Sequence, residues 1–269
     1  MNIKSYPVHP ALREFVETIF QVTIDAGQDE EILQTSFPTY ECFIGFEYDT
    51  DFLVKNINTP GFIPIHKATI IPPQLGTTLL KGRSMKAVMV KFKHDGFFRL
   101  FKIPLTAFNN ECHDALTVLD KSFSSLHERI LNSGDAEKKV DLLEAFLLKK
   151  VADSKLSMPI HQVVEKLFAN NGNVPVKELA DDACMGIRQL QRRFLEQFGL
   201  PPKHYSRLIR FNKAHRMKIL APDLTWGEIS IRCGYFDQMH LIHDFKSIAA
   251  LNPCQLDTKV SQSHLFSFL

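Results

Sequence analysis

The stretch that decides the fold is IRQLQRRFLEQFGLPPKHYSRLIRFNKAHRMK, residues 187–218. It carries nine lysine and arginine residues against one acid, Glu196, so its local charge is +8 in a chain whose total is +2. Charge concentrated among apolar residues at helical spacing is typical of a surface that binds a polyphosphate, and DNA fits best. A solvated helix face is the alternative for charge alone, but the surrounding pattern favours DNA.

The length, the hydropathy and the cysteine spacing of the chain indicate what class of protein it is. A length of 269 residues favours two domains. We find no apolar run of about 18 residues, so we predict no membrane span and no membrane partner. Residues 1–10 lack a basic patch before an apolar stretch, so we predict no secretory signal. The five cysteines form no Cys-x-x-Cys pair, which favours reduced thiols in the cytoplasm.

The first third of the chain has the pattern of strands and turns. Residues 37–54, FPTYECFIGFEYDTDFLV, alternate apolar and polar side chains and are rich in Phe and Tyr. Residues 66–80 and 85–93 continue the pattern, with Pro and Gly between them. Several short strands at this spacing predict a small β-sandwich or barrel. The helical spacing of Phe15, Val16, Ile19 and Phe20 predicts a short helix before the sheet.

A helix is predicted between the sheet and the C-terminal part of the chain. Asp135 is a suitable N-cap for a helix that runs to about Val151. Val140, Leu143 and Leu147 are among the residues of its apolar face. That face either packs on the barrel or pairs with a second subunit, and the sequence leaves both alternatives open.

After Pro159 the pattern is helical throughout, and one layout occurs twice. Residues 176–199 and 226–249 each have a short helix, a tight turn and a second helix with Leu and Phe four positions apart. This is helix-turn-helix spacing, duplicated at an interval of about 50 residues and joined by a basic helix that begins at Pro201-Pro202. A single match would be weak, because any hairpin of two helices can imitate it. The duplication is much more specific.

These patterns predict an α+β chain of two domains. The N-terminal domain is β-rich, a cupin-like barrel or sandwich with flanking helices, and the C-terminal domain is all-α with two helix-turn-helix units on a linker helix. The predicted boundaries are residues 1–152 for an effector-sensing or dimerising domain, 153–159 for a linker, 160–257 for a DNA-binding domain and 258–269 for a tail.

The second helix of each unit has one face suited to reading base edges. At 100° per residue, Ile187, Leu190, Phe194 and Phe198 fall on one core stripe. On the outward face, arginine can bridge guanine and glutamine can bridge adenine. The candidate base contacts are Arg188, Gln189, Gln191 and Arg192 in the first unit and Met239 and His243 in the second.

The remaining basic residues are candidates for phosphate contacts, with a solvated surface as the alternative. They are Arg193, Lys203, Arg207, Arg210 and Lys246. The linker helix has about 19 residues and spans roughly 28 Å, which approaches the ~34 Å between successive major grooves on one face of DNA. One monomer could therefore place both units on one side of a bent duplex.

The C-terminal motifs, in their order and spacing, resemble the signature of the AraC/XylS family of transcription regulators. The matching segments are LQRRF, FGLPPKHY, RFNKAHRMKIL, EISIRCGYFDQMHLIHDFK and NPCQL. The resemblance implies two helix-turn-helix units in adjacent major grooves and an N-terminal sensing or dimerising domain, often a cupin-like barrel. Met239, His243 and Ala250 depart from the small polar residue, the arginine and the glycine common in the family. We therefore expect the first unit to dominate base reading.

The resulting prediction is a sequence-specific regulator controlled by a small effector or a partner at its N-terminal domain. Its expected partners are double-stranded DNA, a small-molecule effector, a second copy of the chain as homodimer, and RNA polymerase. We expect no enzyme activity, cofactor or metal, because the sequence lacks the His-x-His pair of metal-binding cupins and the common phosphate-binding and nucleophile motifs. The alternatives are a metal-dependent cupin-type enzyme with an appended DNA-binding domain, and a ligand-independent dimeric DNA binder.

Overall fold

The computed structural model describes residues 1–27, 30–154 and 159–255. Its N-terminal part contains the strands and four helices, together with two short 3-10 helices at Pro10–Leu12 and Leu105–Phe108. The strands are β1 (Asn2–Tyr6), β2 (Val16–Asp25), β3 (Ile32–Ser36), β4 (Cys42–Thr50), β5 (Leu53–Asn56), β6 (Ile63–Pro64), β7 (Ala68–Ile71), β8 (Thr78–Gly82), β9 (Ser84–Phe92) and β10 (His113–Asp114). The helices are α1 (Gly96–Phe101), α2 (Ala115–Val118), α3 (Lys121–Asn132) and α4 (Ala136–Ala152).

The described strands form two antiparallel sheets that pack face to face. The larger sheet has the order β1-β2-β9-β4-β7-β10, and the smaller has the order β3-β8-β5-β6. One face of the larger sheet packs against α3 and α4, where Ile44 and Val90 share a core with Phe123. The other face packs on the smaller sheet, where Phe43 and Leu80 lie in one cluster. The predicted β-rich N-terminal domain with flanking helices is confirmed.

The helix predicted from Phe15, Val16, Ile19 and Phe20 is wrong, because this segment enters β2. Ile19 belongs to the core beneath the helices, and Phe20 belongs to the core between the sheets. Since both faces of the larger sheet are covered, adjacent residues of β2 are both buried. A register shift near the start of β2 changes the alternation further. Together these effects imitate helical spacing.

Helix α4 packs on the larger sheet. Its N-cap is Asp135, as predicted, whose side chain accepts a hydrogen bond from the backbone of Glu137. Val140, Leu143 and Leu147 are buried in the same core as the larger sheet. The sequence left open whether this apolar face packs on the N-terminal domain or pairs with a second subunit. The structure shows the first, because the face is covered by the chain itself.

The C-terminal part is helical. Its helices are α5 (Pro159–Ala169), α6 (Val176–Asp182), α7 (Ile187–Phe198), α8 (Pro202–Leu220), α9 (Trp226–Arg232) and α10 (Gln238–Ala249). Helix α8 contributes to two cores, because Tyr205 and Leu208 pack with α5, α6 and α7, whereas Phe211 and Ala214 pack with α9 and α10. The domain boundaries stay predictions, since much of the predicted linker and the predicted tail lie outside the described residues. No helix in the described ranges is long and apolar enough to cross a membrane.

Aromatic side chains link the two parts of the chain at the segment between β3 and β4. The Phe37 ring lies 4.8 Å from the His215 ring of α8. The Tyr40 ring lies 5.1 Å from the Phe168 ring of α5 and 5.4 Å from the Tyr205 ring of α8. These edge-to-face and tilted contacts are typical of buried aromatic clusters.

Hydrogen bonds join the C-terminal ends of α7 and α10 to the N-terminal part. Asn110 Nδ2 donates to the carbonyls of Pro73 and Gly199, at 3.0 and 3.1 Å. Thr77 Oγ1 donates to the carbonyl of Ala249 at 3.0 Å. We call residues 37–40, 73–77 and 105–110 together the interdomain surface. It contacts both units away from the beginnings of α7 and α10.

Candidate nucleic-acid interface

The first helix-turn-helix unit consists of α6, a turn and α7. The turn contains Cys184 at φ 51°, and the backbone N–H of Met185 closes it on the carbonyl of Ala180. Helix α7 ends at Gly199, whose φ of 69° is left-handed. A Cβ at Gly199 would lie 3.1 Å from the Leu105 side chain. Glycine is therefore favoured there both by the backbone conformation and by the close approach of the interdomain surface.

Helix α7 separates buried and exposed residues as its sequence predicts, with one exception. Leu190, Phe194 and Phe198 are buried. Ile187, which was predicted in the core, is 44% exposed because it is the first residue of the helix and lies one turn before the packed part. The four predicted base contacts of this unit all lie on the exposed face: Arg188, Gln189, Gln191 and Arg192.

The second unit consists of α9, a turn and α10. Thr225 and Glu228 form the predicted capping box at the start of α9. Asp237 caps α10 by accepting a hydrogen bond from the backbone of His240. Leu241 and Phe245 are buried, as predicted. The outward residues of α10 are exposed: Met239, His243 and Lys246.

The prediction from sequence missed Phe236, which lies in the turn before α10 and is 90% exposed. Met239 is exposed one turn later and Ile231 is exposed at the end of α9. The local sequence does not separate Phe236 from its neighbour Tyr235, which is buried in the core of the same unit. Phe236 and Met239 thus expose apolar side chains at the beginning of α10.

The guanidinium groups of Arg207 and Arg210 form hydrogen bonds and ion pairs within the protein. Arg207 Nε donates to Asp244 Oδ1 at 2.9 Å, and its Nη2 donates to Ser247 Oγ at 2.7 Å. Arg210 is only 8% exposed and donates to the carbonyl of Gly172 at 3.2 Å. Its guanidinium also lies near the buried Asp244 carboxylate, at 3.7 Å. The predicted phosphate contact of Arg210 does not fit this burial. Both arginines hold α10 to α8, and the phosphate contact of the partly exposed Arg207 stays a prediction.

The other predicted phosphate residues lie nearer the solvent. Lys203 and Lys246 are exposed, and Arg193 is half-buried. A groove of about 490 Å³ runs between the two units, and its lining includes Lys203, His240 and His243. Elsewhere on α8, basic residues stabilise turns, since Lys218 Nζ donates to the Leu224 carbonyl at 3.0 Å. The +8 stretch therefore divides into an exposed part and a part whose basic side chains bind within the protein.

Two cavities lie outside the helical units. The first has a volume of about 340 Å³ and lies between the two parts of the chain, with Tyr40, Lys91 and Arg216 in its lining. The second has a volume of about 90 Å³, lies between the two sheets and contains Glu47 in its wall. Within residues 1–27, 30–154 and 159–255, no three His, Cys, Asp or Glu side chains converge as a metal site would require.

Comparison with known proteins places the helical part in a family. Residues 179–258 match the model of a helix-turn-helix domain. None of the curated proteins matches the chain. The matched residues include both units that carry the AraC/XylS signature, α7 and α10.

Several solved structures are similar to the chain. ToxT from Vibrio cholerae is 10% identical, with 89% of this chain and 98% of that chain covered and a TM-score of 0.49. The DNA-binding domain of AdpA, a global transcriptional factor solved in complex with a target DNA, is 26% identical over 38% of this chain and 92% of its own, with a TM-score of 0.35. The AraC-like transcriptional activator CuxR is 9% identical, with 91% and 73% covered and a TM-score of 0.32.

The family match and the signature residues agree on the same part of the chain. Both helix-turn-helix units predicted from the sequence are formed, and the matched residues contain the second unit and the first unit from Leu179 onward. The helical part of the chain is therefore a helix-turn-helix domain, and its residues carry the signature that resembles the AraC/XylS family.

Proposed function

We propose that the chain reads a specific DNA sequence through the exposed faces of α7 and α10. The observation that carries this proposal is the exposure of the hydrogen-bonding side chains on α7 beside a core that fixes the helix. The proposed base contacts are Arg188, Gln189, Gln191, Arg192, Met239 and His243, and Phe236 joins them. The proposed phosphate contacts are Lys203, Lys246 and Arg193, which lie at the surface or are half-buried.

Replacing Arg192 with alanine should cost roughly 1–3 kcal/mol of binding free energy at the preferred site and relax the preference at one base pair. The physical reason is the loss of a bidentate contact to one guanine. The measurement is selection and sequencing of bound duplexes from a random pool, followed by titration of the full chain. Arg129, exposed on α3, provides the matched control, and its alanine variant should select the same motif. An equal loss on every sequence would refute base reading by Arg192.

Replacing Phe236 with serine should remove a preference for thymine at one position of the site. Exchanging that thymine for uracil deletes only a methyl group, and wild-type affinity should then fall roughly fourfold, as expected for one buried methyl. The Phe236→Ser variant should bind both duplexes equally. Leu220→Ser, at an exposed residue at the end of α8, should keep the wild-type difference. A Phe236→Ser variant that still distinguishes thymine from uracil would rule out the contact.

We propose that the N-terminal domain controls how the two units are presented to DNA. The interdomain surface supports this, because it contacts the ends of both α7 and α10 through Asn110 and Thr77. A small effector in the N-terminal domain would change DNA affinity if it favours one arrangement of this surface over another. Titration of DNA with the full chain, with and without a bound ligand, measures this coupling directly.

We also propose a homodimer, a contact with RNA polymerase, a cytoplasmic location and no catalytic activity. The family resemblance supports the first two, and the five free thiols support a reducing compartment. The match to a helix-turn-helix domain supports the absence of catalysis. Light scattering over a range of concentrations tests the dimer, and metal analysis of the purified protein tests the metal-dependent enzyme that the sequence left as an alternative.

A further inference from the structure

The smaller cavity lies in the interior of the β-rich domain, where the two sheets face each other. Apolar side chains form most of its wall, including Met89 from the larger sheet and Leu80 and Val54 from the smaller. Glu47 contributes a carboxyl group to this wall, although the residue is only 7% exposed. Burying a carboxylate among apolar side chains costs free energy, unless a hydrogen-bonding or cationic partner compensates for its lost hydration.

The contacts of Glu47 within the protein are weak. Its Oε2 accepts a long hydrogen bond from Thr69 Oγ1, at 3.4 Å. Burial raises the pKa of the Glu47 carboxyl to about 8. Lys86 of β9 pairs with Asp49, and His66 is a basic side chain of the cavity wall. The cavity thus presents a carboxyl group whose charged form the protein itself stabilises poorly.

The backbone beside Glu47 leaves room for this carboxyl group. Gly45 lies two residues earlier on β4 and faces the same side of the strand. A Cβ at Gly45 would lie 2.5 Å from Glu47 Oε1 and 3.3 Å from Met89 Cε. Strand β4 also shifts register between Glu47 and Asp49. Such shifts re-aim side chains and are frequent beside functional sites.

We infer that this cavity binds a small apolar amine, with its ammonium group on the Glu47 carboxylate and its alkyl part against Met89 and Leu80. The inference rests on the proposed effector role of the N-terminal domain and names the ligand class. A cavity of 150 Å³ accepts benzene, so one of about 90 Å³ suits a chain of about four or five heavy atoms. A carboxylate ligand of equal length carries no cation that could form this ion pair with Glu47.

The cavity wall is continuous with the interdomain surface. Ile71 and Leu80 line the cavity and flank the segment that includes Gln74 and Thr77. Gln74 Nε2 donates to the sulfur of Cys112, another residue of the wall, at 3.3 Å. Thr77 binds the end of α10. An amine that orders this wall would therefore act next to the contacts that position the second helix-turn-helix unit.

The test compares n-butylamine, butyrate and 1-butanol as probes of the full chain, by calorimetric titration and by the shift in melting temperature. Butylamine should bind saturably and raise the melting temperature, because a ligand of the folded state stabilises it. Butyrate and butanol should bind at least tenfold more weakly. Glu47→Gln should weaken butylamine binding at least tenfold, and Gly45→Ala, which fills the space beside the carboxyl, should also weaken it. Glu128→Gln, at an exposed residue of α3, should leave it unchanged.

Three results would overturn the inference: no saturable binding of butylamine, equal binding of butyrate, or full binding by a folded Glu47→Gln variant. Circular dichroism establishes whether each variant is folded. DNA titration in the presence of butylamine separates the two proposals. Amine binding that requires Glu47 but leaves DNA affinity unchanged would support the ligand class and refute the effector role.

Discussion

Replacing Asp244 with alanine will lower the free energy of unfolding by roughly 3–5 kcal/mol, because it removes one member of a buried charged cluster. Asp244 is buried between Arg207, whose Nε lies 2.9 Å from its carboxylate, and Arg210. Without the carboxylate, the buried Arg210 guanidinium loses its nearest negative charge. The hydrogen bond that ties α8 to α10 is lost as well. The melting temperature should fall on the order of 10 °C.

The matched control is Asp223→Ala, since Asp223 is exposed in the turn before α9 and its replacement should change stability by about 0.5 kcal/mol or less. Thermal unfolding of both variants, followed by circular dichroism, makes the comparison. Below the melting temperature the Asp244→Ala variant should also bind DNA more weakly, because α10 is no longer fixed to α8. If Asp244→Ala and Asp223→Ala have the same melting temperature, the arginine cluster does not hold the two units together.

Replacing Glu47 with glutamine will change how stability depends on pH. Burial raises the pKa of Glu47 from its ordinary value of 4.5 to about 8 in the folded chain. Between these values the folded state holds a proton that the unfolded state releases, so wild-type stability falls as the pH rises. The contribution is fully present below pH 4.5 and is lost by the time the pH has passed about 8. Its total is roughly 3–5 kcal/mol, at about 1.4 kcal/mol per pH unit.

Urea unfolding at pH values from 5 to 9 measures this effect as the difference between wild type and variant. Glu47→Gln carries no ionisable group at this position, so it should become progressively more stable than wild type as the pH rises. The control Glu128→Gln removes a carboxylate from an exposed face of α3, and its curve should run parallel to wild type. A constant difference between the Glu47→Gln and wild-type curves would contradict a buried, protonated Glu47.

The helical units could be predicted because their determinants are local. The capping box at Thr225, the N-cap at Asp237 and the left-handed end at Gly199 depend on neighbouring residues along the chain. The spacing of Leu190 and Phe194 on one stripe likewise requires only the period of a helix. Elements that are decided by short-range contacts were therefore placed correctly from the sequence.

The remaining features depend on contacts between distant residues. Arg210 has the same charge as Lys203, yet it is buried because Gly172 and Asp244 come to it from other elements. The β2 strand was mistaken for a helix because a second sheet covers Phe20. Glu47 carried no sequence signal at all, since only the packing of the two sheets makes its position apolar. Periodicity along the chain contains no information on these partners.

Because α7 contacts the N-terminal domain at its end, the exposed residues at its start can be substituted separately from that contact. Gly199 and Asn110 meet at the last turn, whereas Arg188 and Arg192 lie in the first turn and a half. The two groups of residues share no contact, so substitutions at the start of α7 need not alter the domain contact. If α7 reads bases as proposed, foreign residues at the exposed positions 188, 189, 191 and 192 would redirect DNA binding, leave the buried Leu190 in place and retain the original domain contact.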